Sequence, residues 1–419
     1  MYGGEIIAQK VKRTITGEGF YTRICRLHSM AAGWRFAMIC RAVLFLCLFL
    51  FLIFPAAAGA NPPGVTADAA VLMDARTGQI FYDKRGSQRR EPASLTKIMT
   101  AIIALEYGRL DDVVTVSRNA ASVSMGSVLD LRAGEKITLE NLLKAALIIS
   151  ANDSTVAIAE HVGGSEKRFI SMMNHKAVVL GALNTRYANT NGYHHPRHYT
   201  TARDLALITR YALQNPVFNR LVATREDTIV FCDSKRKEPV ANTNRLLRHN
   251  GYPGIDGVKT GSTPRAGNCL VASATRGDRR LIAVVLHSQN RYRDAAALLD
   301  YGFTEVQQVA LGRPGEEVAR VKVTGGQVES LPAVTAGTVQ VEAVRDQLRR
   351  VEREIKLLSP VQAPVRAGQK VGEAVYRLDG RELGRLDLVA ARDVPRHTWF
   401  YRFRRMFTGG SNTSFTWGD

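Results

Sequence analysis

The chain has 419 residues, 45% of them hydrophobic and 23% charged, enough for two or three domains with a full core and unlike a disordered or low-complexity protein. Its formal net charge of +19 points to a polyanionic neighbour. No nucleic-acid-binding motif accompanies that charge, and the Lys and Arg residues are spread along the chain, so an anionic membrane surface is expected and nucleic acid is not.

From Ala42 to Phe54 the sequence AVLFLCLFLFLIF is an unbroken apolar run, short for a bilayer span. Arg35 and Arg41 precede it and PAAAGAN follows, with Ala58 and Ala60 in a small-x-small arrangement. These are the parts of a secretory signal peptide, with cleavage expected after Ala60 and an uncleaved anchor as the alternative. Residues 1–29 make the leader unusually long; Met30 or Met38 would begin one of ordinary length. Cys25, Cys40 and Cys47 leave with it. Cys232 and Cys269 remain in an exported chain and could pair, but they form no disulfide framework.

AAVLMDARTGQIFYDKR (69–85) reads as a β-hairpin turning at Gly78. In EPASLTKIMTAIIALEYG (91–108), Leu95, Ile98, Met99, Ile102, Ile103 and Leu105 follow a helical period on most faces, and Pro92 and Ser94 mark the start. Ser94 and Lys97 are i and i+3, so they share a face with Cβ atoms about 5–6 Å apart. A Lys beside a Ser in apolar surroundings is disfavoured in its charged form and can act as a base. Taken by itself, the stretch is more simply a Ser N-cap and a snorkelling Lys.

Helical text continues to about Asn215, with loops at RAGEK and NTNGYHHPRH; Thr201 and Asp204 form a capping box for TARDLALITRYAL. Strand patterns return in GVKTGST, GNCLVASATRGD and RRLIAVVLHSQ, and a last helix, RDAAALLDYGF, closes the unit near Phe303. Strands at both ends with helices between them make an α/β unit whose first and last segments must meet. Beyond Phe303, ARVKVTGG, GTVQVEAV, VEREIKLL and KVGEAVYRLDGRELGRLDLVA are short alternating strands with a hairpin signal at Asp379-Gly380. The expected organisation is a leader (1–60), an α/β domain (61–303), a small β-sandwich-like domain (304–393) and a tail (394–419).

Two further phrases change the weight of Ser94 and Lys97. LIISANDSTVAIAEHVGG sets Ser150 and Asn152 just after an apolar helix, and GIDGVKTGST sets Lys259, Thr260 and Gly261 on a strand, where a glycine permits close approach. Each is weak alone. In this order, behind a signal peptide, Ser-x-x-Lys, Ser-x-Asn and Lys-Thr-Gly resemble the motif set of β-lactamases and penicillin-binding proteins. PASLTKIMTA, SANDSTVAIAEHVGGS, HYTTARDLALI, DGVKTGSTPRAGNCLVASA and LLDYGF extend the likeness to the D-alanyl-D-alanine carboxypeptidases among the low-molecular-mass penicillin-binding proteins, from about Ala67 to Val394.

That resemblance implies an antiparallel sheet with an inserted helical cluster, followed by the all-β domain. It also implies an acyl-transfer enzyme without cofactor that trims D-Ala from peptidoglycan stem peptides and is acylated by β-lactams. Ser94 would attack, Lys97 would take its proton, and the N–H groups of Ser94 and Ser262 would hold the oxyanion. Ser150 would pass a proton to the leaving amine and Asn152 would hold the acyl-side amide. Lys259 would supply positive charge and Thr260 would donate to the substrate's terminal carboxylate. Counting back from DYGF, Arg291 takes the place of a carboxylate-binding Arg, with Arg293 close enough to confuse the register.

HHPRH (194–198) is a poor metal site, because Pro196 breaks any regular helix pair and no carboxylate motif accompanies it; His198 matches a family position, while His194 and His195 read as surface. The family often has His-Gly-Leu where this chain has Asn191-Gly192-Tyr193. A β-lactamase of the same fold would need a deacylating Glu that the sequence does not offer, and the appended β-domain favours the carboxypeptidase over a DD-endopeptidase. In the tail, Trp399, Phe403, Met406 and Phe407 share one helical face among Arg396, Arg402, Arg404 and Arg405, the pattern of an amphipathic interfacial anchor. The expected location is peripheral, on the periplasmic face of a bacterial cytoplasmic membrane.

Overall fold

A computed structural model describes residues 62–397. The apolar leader, its three cysteines and the aromatic tail from Trp399 lie outside the described residues. Among the described residues no helix is long and apolar enough to cross a membrane.

The first elements among the described residues are the expected hairpin, β1 (Ala69–Asp74) and β2 (Ile80–Lys84). A helical cluster follows: a 3-10 turn at Ala93–Thr96, then α1 (Lys97–Tyr107), α2 (Leu139–Lys144), α3 (Asn152–Gly163), α4 (Glu166–Val179), α5 (Ala202–Ala212) and α6 (Pro216–Ala223). A small hairpin not foreseen in the helical text, β3 (Val113–Thr115) with β4 (Lys136–Thr138), interrupts the cluster, and β5 (Glu226–Val230) with β6 (Lys237–Ala241) follows it. Then β7 (Ile255–Thr263), β8 (Gly267–Arg276) and β9 (Arg279–Ser288) complete an antiparallel sheet in the order β2-β1-β9-β8-β7, and α7 (Arg291–Glu305) packs across it.

The apolar runs in these strands are continuous because both sheet faces are covered. Along β9, Ile282, Val284 and Leu286 join the core shared with Ile98, Met99 and Ile208 of the cluster. Leu281, Ala283 and Val285 join the opposite core with Leu298 and Leu299 of α7. A side-chain period of two therefore gives no polar alternation. The two ends of the unit do meet. Asp294, in the first turn of α7, accepts from the N–H groups of Thr66 (3.0 Å) and Ala67 (2.8 Å) and from the Ser288 hydroxyl (2.6 Å). Those bonds fix the start of α7 against the sheet, and with it the position of Arg291.

At α5 the expected capping box is half formed. Thr201 Oγ1 accepts from the Asp204 N–H at 3.0 Å, but the Asp204 carboxylate turns to the Asn184 N–H (2.8 Å) and the Thr185 hydroxyl (2.7 Å). A tertiary donor pair has displaced the local one. Cys232 is exposed and Cys269 buried, and both are free thiols, so the pairing allowed by the sequence does not form.

The β-domain comprises β10 (Gln307–Leu311), β11 (Glu317–Thr324), β12 (Ser330–Thr335), β13 (Val339–Ala343), β14 (Val351–Leu357), β15 (Val361–Gln362), β16 (Lys370–Leu378) and β17 (Arg381–Ala390). Six of these form one sheet in the order β14-β16-β17-β12-β11-β15, and β10 pairs with β13. Asp379 and Gly380 both have positive φ, 50° and 80°, as the tight β16–β17 hairpin requires. Polar braces join this domain to the β1–β2 turn. Gln347 Nε2 donates to Ile80 O (2.6 Å), Arg381 donates to Gly78 O and Thr77 O (2.7 Å each), and Gln79 Nε2 donates to Glu342 O (2.6 Å). Backbone pairing also runs past Asp393: Val394 exchanges bonds with Val365, His397 N–H donates to Gly325 O, and Arg396 Nε donates to Ala363 O at 2.7 Å. Residues 394–397, including one arginine assigned to the tail, are thus stitched into the β-domain.

Candidate active site

The segment around Ser94 is shaped so that a serine stands at the start of a buried helix. Ala93 is left-handed, φ 48°, a conformation costing about 1–3 kcal/mol unless its surroundings impose it. They do. Gly192 lies so close that a Cβ there would be 1.9 Å from Ala93 O, and a Cβ on Gly261 would be 3.0 Å from Pro92 O and 3.1 Å from Ser94 N. The Thr96 hydroxyl donates to Ala93 O (2.8 Å) and lies 2.9 Å from His198 Nε2. His198 Nδ1 accepts the Ala188 N–H at 3.1 Å, which leaves its proton on Nε2 for Thr96. Burial, aided by His195, pushes this imidazole down to about 4, so it is a neutral structural group. Neither the turn nor α1 has a side-chain cap bond, which sets aside the simpler reading of Ser94 as an N-cap.

Lys97 is fully buried. Its Nζ donates to Asn152 Oδ1 (2.6 Å) and Asn191 O (3.0 Å) and lies 3.1 Å from Ser94 Oγ, with no carboxylate among these partners. Burial first, and the nearby Lys259 second, hold its pKa well below the usual amine range, against the opposing pull of Asp153. Asp153 itself is occupied: its carboxylate accepts from the N–H groups of Leu129, Leu131 and Ser154. A neutral amine within hydrogen-bond reach of a serine hydroxyl can accept its proton.

Ser150 ends a π-helical turn (Ala145–Ile149) in a left-handed conformation, φ 67° and ψ 29°, just before α3. Its position lets Ser150 and Asn152 face a cleft of about 330 Å³ together with Ser94, Thr260, Gly261, Ser262 and Arg291. The far wall is β7, the terminal strand of the sheet, held near Ser94 by Gly261. Thr260 Oγ1 is 2.7 Å from Thr243 Oγ1. Arg291 Nη1 donates to Gly261 O (2.9 Å) and Ser262 Oγ (2.7 Å) at the cleft, whereas Arg293 is exposed.

Lys259 belongs to the same wall but does not line the cleft. It is buried, donates to Thr260 O (3.1 Å), and is pushed down to about 7 by burial and by Arg291. His194 and His195 do not enter the site: His194 Nδ1 lies 2.8 Å from Glu91 Oε1, and His195 Nδ1 accepts the Arg197 N–H. Among the described residues no group of three His, Cys, Asp or Glu could hold a metal ion.

Sequence reasoning missed one wall. Gly126 and Ser127 line the cleft, Asn152 Nδ2 donates to Met125 O (2.8 Å), and Ser127 O accepts the Asn152 N–H (2.7 Å). Thr243 was missed as well. Only the Gly in SMGS hinted at a turn; carbonyl contacts carry no side-chain signature.

The family model for D-alanyl-D-alanine carboxypeptidases matches residues 56–290, and that for the penicillin-binding protein 5 C-terminal domain matches residues 307–396. The chain is 35% identical over 339 residues to D-alanyl-D-alanine carboxypeptidase DacF of Bacillus subtilis, covering 79% of this chain and 86% of that one. To DacC of Escherichia coli it is 34% identical over 374 residues, covering 84% and 92%. Among solved structures, penicillin-binding protein 5 of Haemophilus influenzae is similar with a TM-score of 0.59 and 29% identity, over 81% of this chain and 100% of that one. With the Ser94–Lys97 pair at the edge of an antiparallel sheet and both domain matches in place, the chain belongs to the D-alanyl-D-alanine carboxypeptidases, the serine DD-peptidases among the low-molecular-mass penicillin-binding proteins.

Proposed function

We propose that this chain releases the terminal D-alanine from peptidoglycan stem peptides through an acyl-enzyme on Ser94. The observation that carries the proposal is the buried Lys97 amine, 3.1 Å from Ser94 Oγ and free of any carboxylate partner. Ser94 Oγ attacks the carbonyl between the two D-Ala units while Lys97 Nζ takes its proton. The N–H groups of Ser94 and Ser262, on opposite sides of the cleft, receive the oxyanion, a contribution typically of about 3–4 kcal/mol per donor. Ser150 relays the proton to the departing amine. The terminal carboxylate meets Thr260, Ser262 and Arg291, whose guanidinium already lies 2.7 Å from Ser262 Oγ. Water then resolves the ester.

Among the described residues no Asp or Glu lines the cleft. An acyl-enzyme formed with penicillin thus lacks the carboxylate that a β-lactamase uses for deacylation, which favours lasting inhibition over β-lactam turnover. The tail beyond His397 would hold the enzyme to an anionic membrane surface on the periplasmic side, each Arg near the surface contributing about 1 kcal/mol.

The test is to incubate the purified chain with a pentapeptide ending in D-Ala-D-Ala and measure free D-Ala, then locate the penicillin adduct by peptide mass. Ser94→Ala should abolish both signals, and Lys97→Ala should suppress acylation by about 100-fold or more while the chain stays folded. An adduct on another residue would refute the assignment.

A further inference from the structure

Asn152 is fully committed in this structure. Its Oδ1 accepts from Lys97 Nζ at 2.6 Å. Its two Nδ2 protons go to Met125 O (2.8 Å) and to the Tyr193 hydroxyl (3.0 Å). The Tyr193 hydroxyl in turn donates to Met125 O, closing a triangle of three groups. An Asn side chain has only two donor hydrogens, so no N–H of Asn152 remains for a ligand while the triangle is intact.

The triangle also has little room to shift. Gly126 is left-handed, φ 74°, and a Cβ there would be 2.7 Å from Asn152 Nδ2 and 3.2 Å from the Tyr193 hydroxyl. Ser127 O takes the Asn152 backbone N–H at 2.7 Å, so the Met125–Ser127 segment is tied directly over the first turn of α3. Met125, by contrast, is 62% exposed at the lip of the cleft. The strap is bonded on its inner side and open on its outer side.

From this closed triangle we infer that Tyr193 is a positioning residue that holds Asn152 and the Met125–Ser127 strap in a ligand-free state, and that a ligand bearing an acyl-side amide must displace the Tyr193 hydroxyl to reach Asn152. The inference rests on the carboxypeptidase reading above, in which Asn152 binds that amide carbonyl. Its consequence is selective. Ligands with an amide carbonyl on the acyl side must break a protein hydrogen bond to bind, whereas ligands without one leave the latch closed. Removing the hydroxyl while keeping the ring should therefore make the first class bind better, opposite in sign to the loss of a structural bond.

The test compares wild type with Tyr193→Phe, using benzylpenicillin, which has an acyl-side amide, and 6-aminopenicillanic acid, which has none. A typical net hydrogen-bond contribution predicts that second-order acylation by benzylpenicillin rises about 2- to 12-fold in Tyr193→Phe. The gain with 6-aminopenicillanic acid should be several-fold smaller, and the KM for the pentapeptide should fall with kcat changing much less. Tyr193→Leu should show the same pattern if the variant retains its circular dichroism spectrum. Equal gains with both β-lactams, or slower acylation by both together with a lowered Tm, would overturn the latch and leave the carboxypeptidase reading standing. Wild-type enzyme that acquires no penicillin mass on Ser94 would instead overturn that reading, and the latch with it.

Discussion

Gly192→Ala tests whether the backbone turn before Ser94 is held by contact from the facing loop. Gly192 has φ 96°, and an added Cβ would sit 1.9 Å from Ala93 O, 2.3 Å from Ala93 C and 3.0 Å from Ser94 N. Contacts of 1.9 Å to backbone cannot be relieved by a rotamer change, so the two segments must separate by more than 1 Å. Ala93 is already in a left-handed conformation, and Gly261 blocks retreat on the other side. The displacement therefore falls on Ser94 and its N–H. A misplacement of about 1 Å can cost about 100-fold in rate, and that is the expected loss in acylation by penicillin. Overpacking should also cost about 1–3 kcal/mol in stability, beyond about 1–2 kcal/mol for the left-handed backbone. Gly134→Ala is the control: φ is 87°, yet nothing lies within 4 Å of the new Cβ. It should lose a few degrees in Tm and retain full acylation. The assay is the rate of mass gain with penicillin beside thermal melting for each variant. Wild-type acylation in Gly192→Ala, or equal impairment in Gly134→Ala, would refute the contact as the cause.

Lys259, held at about 7 in the folded chain, has an ordinary pKa of about 10.4 when unfolded. Between those values the unfolded chain binds the extra proton, so this group makes stability rise with pH from about 7 to about 10. Lys259→Met should flatten the rise of Tm over pH 7–9, and an unchanged slope would refute its burial as the cause. Arg291→Ala should reduce turnover of the pentapeptide more than acylation by penicillin, and equal wild-type turnover of C-terminal acid and amide peptides would argue against a carboxylate contact there. Truncation after His397, which spares the residues paired into the β-domain, should release the chain from anionic vesicles while D-Ala release continues. Undiminished vesicle binding would place the attachment elsewhere.

The order of elements was legible because periodicity and turn residues carry it: the hairpin at 69–85, the helix after Ser94, the three strands from 255 to 288 and the turn at Asp379-Gly380 all formed. The Ser94–Lys97 contact was legible from i, i+3 spacing; Arg291 came from the family resemblance, counted back from DYGF, and it lies at the cleft. What was not legible depended on backbone carbonyls or on burial. Met125 O and Asn191 O act through atoms that every residue has, so no side chain announced them. The Asp204 carboxylate followed a tertiary donor pair rather than its local cap. The burial of Lys259 was not legible either, because a motif gives residue type but not solvent access. The strand pairing at 394–397 was hidden because Arg396 also fitted the cationic pattern of the tail.

The grip of Gln347 and Arg381 on the β1–β2 turn, returned by Gln79 on Glu342 O, has a mechanical consequence. Donors and acceptors cross the joint in both directions, so rotation there must break four hydrogen bonds together. A stiff joint makes the β-domain a rigid extension of the catalytic domain. If the proposed attachment at the tail holds, the cleft would sweep a single stratum of the surrounding polymer, and stem peptides above or below it would stay out of reach however abundant they are. Such selectivity would be set by altitude rather than chemistry, and altering the spacer would shift the trimmed layer without changing any residue in the cleft.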